Sequence, residues 1–415
     1  MKKYKLAAAL MACMIASVPF TSRTVRAEGV DYSQTIDSVP IRQYLTLKKD
    51  IAVPHIIFHY SLSPGVPISG SENTHEILAG PSGAVFKASQ SPSLSVSFSP
   101  SDGVTSEENA PSGSTISFAT PDNSDEVFAE KPLTLDLSGV TFPAAGIYRY
   151  VVTEQSVTEA GIVSDGANKR YIDVFVHKSD QTDDDVFVPG TAIVRLNDGA
   201  PDAEGKAEAA IKSTGFTSRY ATNRLGFSKS ITGNQSSANK YFKFTVKLNG
   251  SITEDSGRSL VEVSGEFDLH PSESMATLYD GKDMEEANNV GQYVTLSQLR
   301  QGKTFYIKGG QNVQLNGIPA GIAYEVTEEA EDYTPTVEVT GDTDCTVNDG
   351  NVADSALTDD TTLAFLNTLD GTIPSTGVTA AFAIPAAAML TGVAGIILLA
   401  AKRIRSKKRK AWEGN

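Results

Sequence analysis

Between its two ends this chain alternates apolar and polar positions with a period of two. Ile56, Phe58, Tyr60 and Leu62 fall on one face of an extended segment, and Ile57, His59, Ser61 and Ser63 on the other. Successive side chains of a strand point to opposite faces, so this is the pattern of a half-buried strand. Phe242, Phe244, Val246 and Leu248 repeat it. Turn-forming clusters such as Ser63-Pro64-Gly65, Ser69-Gly70-Ser71-Glu72-Asn73 and Asn123-Ser124-Asp125 separate the runs. No long amphipathic helix is evident in this part. The pattern predicts an all-β fold of packed antiparallel sheets.

The pattern also occurs twice. Leu45-Thr-Leu-Lys-Lys49 opens a first block and Leu225-Gly-Phe-Ser-Lys229 a second, each followed by an alternating strand. Later in the blocks stand Gly146-Ile-Tyr-Arg-Tyr-Val-Val-Thr-Glu154 and Gly321-Ile-Ala-Tyr-Glu-Val-Thr-Glu328. Two related β-sandwich domains in tandem are therefore expected, over 28–222 and 223–372.

The ends have a different character. Residues 1–27 carry Lys2, Lys3 and Lys5, an apolar stretch from Leu6 to Phe20, and Val25-Arg26-Ala27, which together predict a signal peptide cleaved before Glu28. Cys13 superficially suggests a lipoprotein box, but the apolar run continues past it through Met14, Ile15 and Val18. Near the other end Ile373-Pro-Ser-Thr-Gly377 precedes an uncharged apolar run of 24 residues, 378–401, and a basic tail, 402–415. A helix of that length, at about 1.5 Å per residue, crosses a hydrocarbon core of about 30 Å. The cluster of Lys402, Arg403, Arg405, Lys407, Lys408, Arg409 and Lys410 would hold the tail in the cytoplasm and leave everything before Ile373 outside.

Removing both ends changes the charge. The whole chain has 35 Lys and Arg against 50 Asp and Glu, net −15. The two ends carry twelve of those basic residues and only Glu413 of the acidic ones, so the remainder has a net charge of about −26. That excludes nucleic acid and anionic lipid surfaces as partners of the exported part and favours a surface exposed to the medium. Of the two cysteines, Cys13 leaves with the signal and Cys345 has no partner, so disulfides contribute nothing to durability.

Parity along the strands picks out an unusual trio. Lys229 has the phase of Leu225, Phe227 and Ile231; Glu328 that of Tyr324 and Val326; Asn367 that of Leu363 and Phe365. All three are thus expected in the core of the second sandwich. Burial disfavours the charge of both the lysine and the glutamate, making the amine nucleophilic and the carboxyl a proton donor. An amine beside a carboxamide polarised by that carboxyl can form a Lys-Asn amide with loss of ammonia. The plainer alternative is a buried ion pair hydrogen-bonded to Asn367. In the first block Lys49 has the phase of Leu45, Leu47, Ile51 and Val53, and Glu154 that of Tyr148, Tyr150 and Val152. Its closing strand reads Phe216-Thr217-Ser218, and a hydroxyl offers an amine no carbonyl to attack, so no such amide is expected there.

These motifs carry a resemblance. Ile373-Pro-Ser-Thr-Gly377, a span and a basic tail in that order resemble the sorting signal of Gram-positive surface proteins, with Ile in place of the usual Leu. Lys229 in Phe-Ser-Lys-Ser-Ile-Thr-Gly, Glu328 in Tyr-Glu-Val-Thr-Glu and Asn367 in Ala-Phe-Leu-Asn-Thr resemble the isopeptide triad of the two-domain backbone pilins of sortase-assembled pili. The resemblance implies Ig-like (Cna-B-like) sandwiches, sortase cleavage between Thr376 and Gly377, and Glu328, with Glu154 in the first domain, as the catalytic carboxyl. It also implies a secreted, wall-anchored shaft subunit joined to other copies of itself, then to minor pilins or peptidoglycan, and held in the membrane before processing. The linking lysine of such pilins lies shortly before the strand that closes the first domain, which points to Lys212 and, after it, Lys206.

A wall-anchored adhesin or minor pilin that does not polymerise is the alternative. Neither a cofactor nor an activity on other molecules is expected, because no Ser/His/Asp set, phosphate loop or Cys/His cluster stands out. His55 and His59 have the spacing of helical metal ligands, but on a strand four residues span about 13 Å, too far to share one ion. The acidic runs Asp180–Asp185 and Asp342–Asp349 lack the glycine and terminal glutamate of an EF-hand loop and are expected to be solvated.

Overall fold

In a computed structural model of the chain, the structure describes residues 35–371 apart from 73, 89–93, 120–124, 180–184, 200–211, 251–258, 269–287, 289–290 and 343. The expected signal peptide, sorting stretch, membrane span and tail lie outside the described residues. Among the described residues no helix is long and apolar enough to cross a membrane. One compact unit runs to Leu369; a second covers 370–415, of which only Asp370 and Gly371 are described.

The fold is all-β. The first sandwich contains β1 (Ser38–Lys48), β2 (Ile56–Pro64), β3 (Leu78–Ala79), β4 (Val85–Ala88), β5 (Ser95–Phe98), β6 (Thr105–Ser106), β7 (Glu126–Asp136), β8 (Gly146–Glu154), β9 (Ile162–Ser164), β10 (Lys169–Lys178), β11 (Phe187–Arg195) and β12 (Gly215–Tyr220). One sheet has the order β4-β7-β1-β12-β9 with β6 on β7, the other β11-β10-β8-β2-β5 with β3 on β8. The second sandwich contains β13 (Thr222–Thr232), β14 (Tyr241–Asn249), β15 (Leu260–Ser264), β16 (Tyr293–Thr295), the short helix α1 (Leu296–Gln301), β17 (Lys303–Lys308), β18 (Asn312–Pro319), β19 (Ala323–Glu329), β20 (Thr334–Thr340), β21 (Val347–Asn348), β22 (Asn351–Ala356) and β23 (Thr361–Thr368). Its sheets run β16-β15-β18-β13-β23-β20 and β17-β14-β19-β22-β21.

Each pair of sheets closes on its own core. Leu45, Phe58, Phe98, Leu135, Val152 and Ile172 belong to the first, and Phe227, Phe244, Leu315, Tyr324, Val326 and Phe365 to the second. Alternation explains the second core almost residue by residue. Along β23 Thr361, Leu363, Phe365 and Asn367 are buried while Thr362, Ala364, Leu366 are exposed, and β19 buries Tyr324, Val326 and Glu328 in the same way. The aromatic rings interlock: Phe244 stacks on Phe227 at 5.2 Å and meets Phe365 edge-on at 5.0 Å. Such pairs add about 0.5–1.5 kcal/mol each beyond the area they bury.

Strand β1 breaks the alternation, because Gln43 to Leu47 are all buried. The outward-facing Tyr44 hydrogen-bonds through its hydroxyl to Thr214, and Thr115 bonds Thr214 in turn, so the segment around Thr115 covers that face. Phe118 and Tyr44 both pack against Phe128.

One connectivity feature sets up everything at the site. In each sandwich the first and last strands are parallel neighbours within the same sheet: β1 pairs with β12, and β13 with β23. Only Ala221 separates β12 from β13, and its amide donates to the Gly161 carbonyl at 2.7 Å. Two further bonds run between the sandwiches, from Lys48 Nζ to the Thr222 carbonyl at 3.1 Å and from the His55 amide to Ser259 Oγ at 2.8 Å.

Gly215 is where β12 comes closest to β1. A Cβ there would stand 1.8 Å from the Arg42 carbonyl oxygen. Gly215→Ala is expected to prise β12 from β1 and destabilise the first sandwich by about 1–3 kcal/mol, the usual cost of overpacking. Denaturant midpoints measure this, and an unchanged midpoint would contradict the close approach.

Candidate functional site

Lys229, Glu328 and Asn367 converge in the second core from three strands. Parallel pairing of β13 with β23 places Lys229 opposite Phe365 and Ile231 opposite Asn367, so Lys229 and Asn367 are diagonal neighbours in one sheet. Glu328 comes from the facing sheet, where it pairs with Phe244. Lys229 Nζ lies 2.5 Å from Glu328 Oε1, and the side chains of both are inaccessible to solvent. Asn367 Nδ2 donates to the same Oε1 at 2.8 Å.

The surroundings are apolar. Lys229 Nζ sits 4.5 Å from the centre of the Phe242 ring and 5.9 Å from that of Phe244. Burial pushes the amine down to about 8 against the opposing pull of Glu328, toward its neutral, nucleophilic form. Burial likewise raises Glu328 above the ordinary carboxylate range, although Lys229 and Asn367 both draw it down. Glu328 Oε2 and Asn367 Oδ1 are buried without a hydrogen-bond partner, and the ion pair with Glu328 Oε1 is the polar contact of Lys229 Nζ. Orphaned buried polar atoms cost about 1–3 kcal/mol each, more when charged, and two beside a buried ion pair mark a site of chemistry or strain. A proton on Oε2 shared with Asn367 Oδ1 would pair the two and polarise the carboxamide carbon beside the amine.

The first sandwich holds a cluster in the same place, but not the expected one. Lys49 lies beyond the end of β1 and is exposed, in a turn where its amide donates to the Asp125 carbonyl. Its parity is that of Leu45 and Leu47, but parity is meaningless once the strand has ended. The register identifies the true counterpart. Gln43 pairs with Phe216 and Leu45 with Ser218, as Lys229 pairs with Phe365 and Ile231 with Asn367. Glu154 pairs with Tyr60, as Glu328 pairs with Phe244. Gln43, Ser218, Glu154 and Tyr60 thus occupy the places of Lys229, Asn367, Glu328 and Phe244.

All four are buried. Gln43 Nε2 donates to Ser218 Oγ at 3.3 Å, and the Tyr60 hydroxyl donates to Gln43 Oε1 at 2.8 Å. Burial, then the charge of Asp165, pushes Glu154 up to about 7; Arg170, Ser218 and Gln43 act in the other direction. Burial and the neighbouring Glu154 raise the Tyr60 hydroxyl well above the usual phenol range. Gln43 had a signal in the sequence, as a polar residue in the inward phase of Val39, Ile41, Leu45 and Leu47. The paired Lys48-Lys49 drew attention six residues too far along.

The remaining candidates are dispersed. Lys212 is exposed, makes an isolated bridge with Arg195 and stands three residues before β12. Lys206, Thr376 and Gly377 lie outside the described residues. His55 and His59 both border a surface depression with Glu159, but among the described residues no three His, Cys, Asp or Glu side chains are placed to share a metal ion.

Residues 223–369 match a family model described as a domain of unknown function (DUF7601). A pilus tip adhesin, Cpa, from Streptococcus pyogenes is 30% identical over 159 residues, which are 38% of this chain and 18% of that protein. The chain therefore spans about a fifth of that relative. A pilin from Streptococcus pyogenes serotype M1 is 24% identical over 282 residues, 66% of this chain and 72% of the relative. Among solved structures, the major pilin from Streptococcus pyogenes aligns over 81% of this chain and 99% of its own, at 19% identity and a TM-score of 0.48. The chain resembles pilins in sequence across both sandwiches.

The Glu154 shift has a measurable consequence. Its pKa is higher in the folded chain, about 7, than the ordinary 4.5, so the folded state holds the proton more tightly. The associated stability is fully present below about pH 4.5, declines as pH rises and is gone above about 7, a change of no more than about 3 kcal/mol. Unfolding midpoints of the first sandwich should fall over that window. Glu154→Gln should flatten the slope, and a slope unaltered by that substitution would assign it to another group.

Proposed function

We propose that the chain is the shaft subunit of a covalently polymerised pilus on a Gram-positive cell surface, closed internally by a Lys229-Asn367 amide. The observation that carries this reading is the Lys229, Glu328 and Asn367 cluster, inaccessible to solvent and drawn from the first and last strands of one sandwich and the strand facing them. The sequence similarity to a streptococcal pilin over two thirds of the chain supports it.

Bond formation needs no external reagent. The neutral Lys229 amine attacks Asn367 Cγ while Glu328 gives a proton to Oδ1. The intermediate then loses its Nδ2 as ammonia, with Glu328 carrying the second proton from the amine to the leaving nitrogen. The buried amine becomes part of a neutral amide, and the ion pair it made, whose net contribution to stability is small or negative, disappears. By analogy with a disulfide closing a loop of this size, the cross-link would contribute about 5 kcal/mol through the unfolded state. Sortase would cleave Thr376-Gly377 and join Thr376 to Lys212 of the next copy, with the mature chain beginning at Glu28. The carboxyl proton shuttle acts on this chain alone, so the protein is structural rather than an enzyme for other molecules.

A second reading, a wall-anchored adhesin or minor pilin that does not polymerise, is favoured by the similarity to the tip adhesin. Cell-wall extracts separate the two: a ladder of detergent-resistant species is expected for a shaft, and a single band would indicate the adhesin. Lys212→Ala should collapse the ladder; a normal ladder from that variant assigns the acceptor elsewhere. Digests of the unaltered protein should yield one cross-linked peptide pair containing Lys229 and Asn367, short by one ammonia. Glu328→Ala should restore two separate peptides of full mass, and finding them separate in the unaltered chain would refute the amide.

A further inference from the structure

The first sandwich lacks both an amine donor and an asparagine acceptor at the equivalent positions, yet it keeps a buried carboxyl, a carboxamide and a hydroxyl there. Reversing the roles makes this a coherent set. Gln43 supplies the carbonyl carbon and Ser218 the nucleophile. We propose that the first sandwich closes itself with an ester between Ser218 Oγ and Gln43 Cδ, formed with Glu154 as proton carrier and Tyr60 as the donor that polarises the carbonyl.

The geometry supports each role. Ser218 Oγ is 3.3 Å from Gln43 Nε2, so the nucleophile already faces the group whose carbon it must reach. The Tyr60 hydroxyl donates to Gln43 Oε1 at 2.8 Å, where negative charge develops during attack, and a buried donor so placed acts as an oxyanion hole. Glu154 is the register partner of Tyr60, whose hydroxyl reaches Gln43, and both Ser218 and Gln43 draw its pKa down, so the carboxyl stands beside the groups where the proton starts and ends. A carboxyl poised near neutrality can both take and return that proton. Tyr60 stands where the second sandwich has Phe244. An amine held neutral by apolar walls is already a nucleophile and relies on the carboxyl only to move protons, whereas a hydroxyl attacking an amide must also be deprotonated by a base and gains from an oxyanion donor. The first pocket has gained a polar group where the second has an aromatic wall.

The step balances without an oxidant, metal or co-reactant. Glu154 carboxylate removes the Ser218 hydroxyl proton as Oγ bonds to Gln43 Cδ, and the charge rises on Oε1 against Tyr60. The intermediate collapses with cleavage of the Cδ–Nε2 bond, and Glu154 returns the proton to the leaving nitrogen. A hydroxyl and a carboxamide become an ester and ammonia. Escape of ammonia into a large volume draws the exchange forward. Hydrolysis is held back by burial, since Gln43 is 0%, Ser218 1% and Glu154 5% exposed. The product would join β1 to β12, the first and last strands, as the Lys229-Asn367 amide joins β13 to β23.

The test reads both cross-links in one digest of the full chain. A peptide pair joining Gln43 to Ser218, short by one ammonia, is expected. Hydroxylamine should split it, leaving a hydroxamate on Gln43 and a free Ser218, while an amide between Lys229 and Asn367 resists the same treatment. Ser218→Ala should abolish the first pair and leave the second untouched. Tyr60→Phe should slow its appearance at least tenfold in a time course after synthesis. Because hydroxylamine acts on the unaltered protein, a folding defect in either variant does not blunt the test. Recovery of the Gln43 and Ser218 peptides as separate species of full mass, from protein aged for days at neutral pH, would overturn the proposal whatever the state of Lys229.

Discussion

The parallel pairing of first and last strands at the centre of a sheet is the constraint on which the rest of this structure depends. Antiparallel neighbours can be joined by a hairpin, but parallel neighbours must be reached by a long crossover. Here the whole domain is that crossover. Residues far apart in sequence, Lys229 and Asn367 or Gln43 and Ser218, thereby become diagonal neighbours two positions apart in register. The opposite sheet then needs to contribute only one carboxyl, near the C-terminal end of the facing strand, to reach both. Any group at the three positions is also automatically buried, because central strands of a sandwich are covered on their inner face.

Burial fixes the electrostatics. A lysine and a glutamate in contact would reinforce each other's charge in water, yet in this core desolvation outweighs that attraction for both, and each moves toward its neutral form. The pair is therefore poised to exchange a proton rather than to remain ionic. The aromatic faces around Lys229 partly compensate the ammonium while it lasts, which limits how far the amine can fall. In the first sandwich the carboxyl is held up by the same desolvation with no lysine opposite it, and Arg170 supplies the opposing positive field. The two clusters share a site and a logic of burial and differ in which group is nucleophilic.

Much of this could be read from the amino-acid sequence. The alternation of Tyr324, Val326 and Glu328, or of Leu363, Phe365 and Asn367, gives inward direction directly, because those strands have one covered face. Strand β1 defeats the same method for two reasons. Both its faces are covered, so burial no longer alternates, and the loop contact around Thr115 that covers the outer face is invisible locally. The end of the strand at Lys48 is also unmarked by proline or glycine, so parity carries on past it to Lys49. The repeat between the blocks was real, but its alignment on Leu-x-x-x-Lys text slipped by six residues, an even number that preserves phase. Only pairing register, a long-range property, separates Gln43 from Lys49.

The two sandwiches keep the same inward phase at equivalent positions while differing in the polar groups placed there. A register change by an odd number would have exchanged inner and outer faces and destroyed the core, so hydrophobic selection alone leaves the phase intact while leaving the polar identity at an inward position free to change. At the Lys229 position a charge survives burial only with a partner and with aromatic neighbours. At Gln43 the side chain is uncharged, and the pocket around it can hold more polar atoms without a large desolvation cost. Tyr60 and Ser218 replace Phe244 and Asn367 together, and each makes a hydrogen bond to Gln43. Three coordinated replacements that leave the Gln43, Tyr60 and Ser218 side-chain atoms hydrogen-bonded, in the first core, contrast with the orphaned Glu328 Oε2 and Asn367 Oδ1 in the second. The second cluster is thus the one under greater internal pressure to react, and the first is the one whose unreacted state is already a satisfied polar network.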